Sequence, residues 1–221
     1  MWSASLKYPL DQRILWLLEE LEIPYEIKIY ERGPDMRAPK ELEAVHPLGK
    51  SPVITDGPIT IAESGAIIEY IISKYGNGRL KPASGTEDQL QYTYWLHFAE
   101  GSAMSPLLLT LIFDNIKKNS PFFIRPIANG IALSVDNKFI QQELTKIFGY
   151  IESELTKREY FAGNEFSAAD IQMSFPIEAA SSRAAQYLGP NTKKLLDKLQ
   201  GRPAYLRALE KGGPYKYGPN T

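Results

Sequence analysis

The sequence contains no cysteine. That absence removes disulfide frameworks, thiolate metal sites and every mechanism in which an enzyme thiol is the nucleophile or redox centre. An excess of one charge is also missing: 25 Lys and Arg against 26 Asp and Glu leave −1, so no bulk field favours nucleic acid or anionic lipid. No apolar run approaches the roughly 18 residues of a membrane span, and the N-terminus lacks the basic flank and apolar block of a signal peptide. Histidine is scarce, and His46 and His97 stand apart without the carboxylate pattern of a metal site. Gly76-Asn77-Gly78 lacks the third glycine and preceding strand of a dinucleotide fingerprint, and no P-loop occurs. These exclusions leave a cytoplasmic globular protein with no nucleic-acid partner, no membrane span, no metal and no tightly bound cofactor.

Hydrophobic residues at 43% and charged residues at 23% of the 221 are ordinary globular values. A turn-rich stretch from Gly76 to Gly85 divides the chain into residues 1–79, a linker at 80–86, and residues 87–221. In the first part Ile14, Leu18 and Leu21 recur at helical spacing and Pro24 stops the helix. Tyr25 to Tyr30 alternates as a strand, with Tyr25, Ile27 and Ile29 on one face. A short helix over Pro39 to Val45 follows. Two β-branched runs around Asp56-Gly57 then predict a hairpin, and Ile67, Ile68, Ile71, Ile72 and Tyr75 predict a helix.

After the linker only helical patterns occur. Glu87 to Lys118 is one long stretch, and Ile140, Leu144, Ile147, Ile151 and Leu155 form a core stripe over Phe139 to Lys157. Ser167-Ala168-Ala169-Asp170, flanked by Phe166 and Ile171, is a capping box with its hydrophobic staple, so a helix starts there. Two short helices, around Lys193 to Leu199 and Pro203 to Leu209, complete this part. The Gly- and Pro-rich tail from Gly212 is expected to be loose.

Four segments in this order carry a resemblance. Arg13-Ile14-Leu15-Trp16-Leu17-Leu18-Glu19-Glu20-Leu21, His46-Pro47-Leu48-Gly49-Lys50-Ser51-Pro52-Val53, Ala62-Glu63-Ser64-Gly65-Ala66-Ile67 and the capping box resemble the cytosolic glutathione transferases, of the fungal and bacterial type. The resemblance implies an α/β plus all-α fold: a thioredoxin-like N-terminal domain with a C-terminal helical bundle domain. It implies a homodimer that uses glutathione as co-substrate and conjugates its thiolate to a small hydrophobic electrophile or reduces a peroxide, in detoxification.

Glutathione is an anionic tripeptide, so its site needs main-chain pairing for the peptide bonds and N–H or cationic partners for the carboxylates. Ser64, as an N-cap, would open a helix whose first N–H groups suit a carboxylate; the resemblance gives Glu63 and Ser64 the γ-glutamyl end. It makes the Ser51-Pro52 bond cis, with Val53 pairing main chain to main chain with the cysteinyl unit, and brings Lys50 and His46 to the glycyl carboxylate. Glu100 would reach the γ-glutamyl amine from the partner subunit. Tyr92 and Met104, on the long helix with Trp95 and Phe113, would line the electrophile pocket; the bland reading of such a stripe is simple core. The helical domain is otherwise expected to stay clear of the tripeptide.

Two neighbouring positions depart from the family, and one of them is Leu10, which stands where that type often has Arg. The hydroxyl that holds the thiolate stands four residues before the Arg of the first helix, and here that residue is Pro9, which donates nothing. Tyr8 is the nearest substitute, with Ser5 or Ser3 after a register shift, or main-chain N–H groups with Arg13 alone. The rival readings are a glutathione-binding carrier that has lost its activator and a protein-interaction domain of the same fold.

Overall fold

The computed structural model describes residues 2–6, 12–30 and 39–219. Its first part runs β1 (Trp2–Leu6), α1 (Gln12–Glu20), β2 (Glu26–Tyr30), α2 (Lys40–Val45), β3 (Val53–Asp56), β4 (Ile59–Ala62) and α3 (Ser64–Tyr75). The sheet order is β2-β1-β3-β4, with β1 parallel to β2 and antiparallel to β3, and β3 antiparallel to β4. This is the thioredoxin-like arrangement expected above. The apolar run from Ile14 to Leu18 is at most 2% exposed, because α1 is enclosed by α3 and by the helices over Ala168–Arg183 and Pro203–Gly212; a helix apolar all round is a buried one.

Two local expectations are corrected. On β2, Ile29 is 58% exposed whereas Tyr30 is buried. Tyr30 joins Leu42, Val53 and Ala62 in a small second cluster beneath α2, while Tyr25 and Ile27 on the other face pack on the main core, so both faces of this edge strand are covered and, of its apolar residues, only Ile29 is left out. In the hairpin, Asp56 pairs with Ile59, which centres the turn on Gly57-Pro58 instead of Asp56-Gly57. Gly57 supplies φ +59° at the first central position, and proline fixes the second near −65°.

The helical part comprises α4 (Glu87–Phe98), α5 (Met104–Asn119), α6 (Arg125–Val135), α7 (Gln141–Leu155), α8 (Ala168–Arg183), α9 (Pro190–Gln200) and α10 (Pro203–Gly212). A π-turn at Ala99–Ala103 joins α4 to α5, and another at Asp136–Ile140 joins α6 to α7. The first lies just before Pro106, which has no N–H to close an ordinary helical turn. Over 18 residues the stretch Glu87–Asn119 reaches a mean hydropathy of 1.3, more than the sequence reading allowed. Ala99, Ala103 and Leu107 are wholly buried there, and both the π-turn and α5 pack on α8, as in a bundle helix.

At the centre of the bundle lies α8, with every residue from Ala168 to Ala180 buried. Its capping box is present as expected, and its polar residues find internal partners. Glu178 accepts from Tyr205 Oη at 2.7 Å, Gln200 Nε2 at 3.2 Å and the Tyr215 hydroxyl. The expectation of a loose tail is therefore corrected: Tyr215 is 6% exposed, and the Tyr217 carbonyl accepts from Gln200 at 3.2 Å. The buried carboxylate of Glu178 needs donors, and the tail supplies one.

Candidate functional site

The ladders bring the sequence motifs to one end of the sheet. Val53 stands opposite Ala62 of β4 and Ala4 of β1. Ser51-Pro52, just before Val53, and Glu63-Ser64, just after Ala62, therefore flank the same end of the hairpin, beside the C-terminal end of β1. The Ser51-Pro52 peptide bond is cis. Val53 itself is wholly buried and a rung in both ladders, so its main chain is already engaged within the sheet. The pairing role expected of it is corrected: Val53 anchors the cis-proline loop.

Glu63 is exposed and adopts φ 70°, ψ 118° at the N-cap position of α3. Ser64 is the first helical residue, one position beyond the cap it was expected to be. No side chain caps this end, and the first-turn N–H groups of a helix have no acceptor within it. They carry the positive end of its dipole to the motif.

Ser64 is 5% exposed, and its hydroxyl accepts from Gln172 Nε2 at 3.1 Å. Gln172 Oε1 in turn accepts from Arg13 Nη1 at 3.2 Å. The same Arg13 nitrogen donates to Glu100 Oε1 at 2.7 Å and to the Gln172 carbonyl at 3.4 Å. That carbonyl is open because Pro176, four residues on, has no N–H to give it. Arg13 is 2% exposed, and its guanidinium lies 4.7 Å from the Phe175 ring centroid. A buried cation needs acceptors and a carboxylate, and α8 and the π-turn provide them. α8 thus reaches the motif residue Ser64 from the helical part of the chain. Sequence reasoning missed Gln172; the available signal was a polar residue four before a proline in an otherwise apolar helix.

His46 is half-buried and its Nδ1 lies 3.4 Å from the Leu48 N–H, while Lys50 is exposed. Glu100 pairs with Arg13 of its own chain and keeps 44% of its side chain exposed. Tyr92 is 1% exposed among core residues, its phenol has no hydrogen-bond partner, and burial pushes its ionisation up. Met104 is half-buried, one turn beyond Glu100. A cavity of about 430 Å³ opens between α4, α5 and α7, lined by Tyr94, Phe98, Pro106, Phe139, Ile147 and Tyr150 among others; neither Tyr92 nor Met104 lines it. Tyr8 and Pro9 lie outside the described residues, and of Ser3 and Ser5 the position in β1 is described. Among the described residues no cluster of side chains suits a metal.

A family model described as the glutathione S-transferase N-terminal domain matches residues 9–74, and one described as the C-terminal domain matches residues 135–203. The chain is 39% identical to glutathione S-transferase 3 of Schizosaccharomyces pombe over 93% of this chain and 85% of that one. It is 32% identical to glutathione S-transferase 1 of Saccharomyces cerevisiae over 90% and 89%. Among solved structures, a glutathione S-transferase from Actinobacillus pleuropneumoniae superposes with a TM-score of 0.72 at 32% identity, covering 96% of this chain and 92% of that one. A glutathione transferase family member from Pseudomonas fluorescens, solved with two glutathione bound, gives 0.72 at 25% identity over 95% and 92%. With both domain models matched in order and relatives aligned along nearly its whole length, the chain belongs to the glutathione transferase superfamily.

Proposed function

We propose that this transferase binds glutathione across the end of the sheet where Ser51-Pro52 and Glu63-Ser64 meet, and adds its thiolate to small hydrophobic electrophiles. The observation that carries this reading is the convergence of the cis-proline loop with the uncapped N-terminus of α3, backed by the Arg13–Gln172–Ser64 chain of hydrogen bonds. The γ-glutamyl carboxylate takes the Ser64 hydroxyl and the first-turn N–H groups, with Glu63 and Glu100 toward the amine. Lys50 and His46 serve the glycyl carboxylate, and the loop at Ser51 and Pro52 holds the cysteinyl unit. Met104, at the start of α5 just beyond the π-turn that carries Glu100, faces the electrophile; Tyr92, sealed in the core, serves packing.

A free thiol of pKa about 8.5 is only a few per cent ionised near neutrality, so the reaction needs a group that favours the thiolate. Tyr8 is assigned that role, with Ser5 as the alternative. The protein acts in the cytoplasm as a dimer of two copies, for which Leu108, Ile112, Ile127 and Ile131, all at least 43% exposed, offer apolar area. The same thiolate would serve peroxide reduction.

Calorimetric titration with glutathione, followed by conjugation to a generic aromatic halide, tests the reading. Binding with turnover supports it. Binding without turnover makes the protein a carrier, and no binding refutes the assigned site. Tyr8→Phe should raise the pKa of the bound thiol by about one to two units, read by ultraviolet titration; an unchanged value transfers the role to Ser5.

A further inference from the structure

Gln172 lies 108 residues from Ser64 and 159 from Arg13 in the chain, yet bonds both side chains. Its amide can be oriented only one way. A guanidinium has donors and no acceptor, so the oxygen of Gln172 must face Arg13 Nη1, at 3.2 Å, and the nitrogen must face Ser64 Oγ, at 3.1 Å. Gln172 is wholly buried, so water does not compete for either bond. Pro176 fixes the arrangement further, since the carbonyl it leaves open accepts from the same Arg13 nitrogen.

The consequence falls on one proton. A serine hydroxyl has a single hydrogen, and a donor already occupies the oxygen of Ser64. Its own hydrogen must point away from Gln172, and among the described residues no acceptor receives it. The first N–H groups of α3 leave the helix at the same place. The Ser64 hydrogen and these N–H groups are thus offered to an incoming acceptor, which suits a carboxylate.

We infer that Gln172 is a positioning residue for glutathione, fixing the Ser64 hydroxyl as a donor to the γ-glutamyl carboxylate. The inference rests on the proposed glutathione site and adds a residue of the helical domain to its recognition. Arg13, held by Glu100 and by both oxygens of Gln172, sets the amide; the amide sets the hydroxyl.

Gln172→Glu tests it, because the variant keeps the shape and the bond to Arg13 but replaces the donor facing Ser64 with an acceptor. The Ser64 proton should turn inward and be lost to the ligand. The KM for glutathione should then rise about tenfold, the cost of one hydrogen bond to a charged group, while kcat at saturating glutathione holds, as for loss of uniform binding. The glutathione analogue that lacks the γ-glutamyl α-carboxylate, 4-aminobutyryl-cysteinylglycine, should bind parent and variant equally. Gln172→Met, which removes both bonds and frees the hydroxyl to rotate, should give a smaller rise than Gln172→Glu. A parent that binds no glutathione overturns the site itself. A parent that binds, with an unchanged KM in Gln172→Glu, overturns the role of Gln172 alone. An equal loss for glutathione and the analogue also overturns it, since the effect would then be a general disturbance of the fold.

Discussion

Replacing Asp170 with alanine separates a helix cap from a structural hub. Asp170 is wholly buried and accepts from Ser167 N–H at 2.8 Å, Ser167 Oγ at 3.0 Å and Phe161 N–H at 2.9 Å. Loss of a simple exposed cap costs about 1 kcal/mol. Here two main-chain donors would be left buried without an acceptor, at about 1–3 kcal/mol each. The parent, however, must bury a carboxyl, and that burial pushes its pKa up to about 6; removing the group returns part of the loss. The net expectation is destabilisation by about 2–4 kcal/mol. For a chain of this size the melting midpoint should fall by about 5–15 °C, while glutathione affinity well below the midpoint holds.

The pH dependence supplies a sign. In the unfolded chain the carboxyl titrates near 3.9 and in the folded one near 6, so between these values the folded state binds more protons. This group therefore makes stability fall as pH rises through that window. The variant lacks that slope, so the gap in melting midpoint between parent and Asp170→Ala, followed by circular dichroism, should be widest near the acid end and narrow toward neutrality. A gap that widens instead would falsify the balance argued here and mean that the donors outweigh burial. A midpoint lowered by less than about 2 °C would show that the orphaned N–H groups find other acceptors.

Three further changes probe other buried groups. Tyr92→Phe removes a hydroxyl that is buried without a partner, so stability should hold or rise by up to about 1 kcal/mol with unchanged conjugation rate; a clear loss of activity would restore Tyr92 to the electrophile site. Tyr215→Phe deprives buried Glu178 of a donor and should cost about 1–2 kcal/mol while exposing the chain after Lys216 to trypsin; a tail that stays resistant refutes its anchoring by Glu178. Arg202 forms two bonds to Glu20, at 2.6 and 3.0 Å, and lies 3.7 Å from the Phe166 ring centroid. Arg202→Ala should therefore cost about 2 kcal/mol, with little rescue by Arg202→Lys because a lysine cannot make the planar double contact; full rescue by lysine would reduce the interaction to charge alone.

What the sequence determined by itself is what neighbours within a few residues decide. The core stripe from Ile140 to Leu155 is buried throughout, and the capping box at Ser167 and Asp170 forms as its spacing required. The hairpin and the start of α3 were legible for the same reason, each to within one residue, whereas the cis state of Ser51-Pro52 was implied only by the family resemblance. The structure decided what depends on elements meeting. Tyr30 and not Ile29 is inside because α2 covers that part of the sheet, with Leu42 beneath it. The tail is held because Glu178, buried on the central helix, needs the Tyr215 hydroxyl. Most of all, Gln172 reads in the sequence as one polar residue in an apolar helix, and its role exists only because α1, α3 and α8 converge. Hydrogen bonds spanning 108 and 159 residues leave no periodicity in the chain, since packing angles and not local preference bring their partners together.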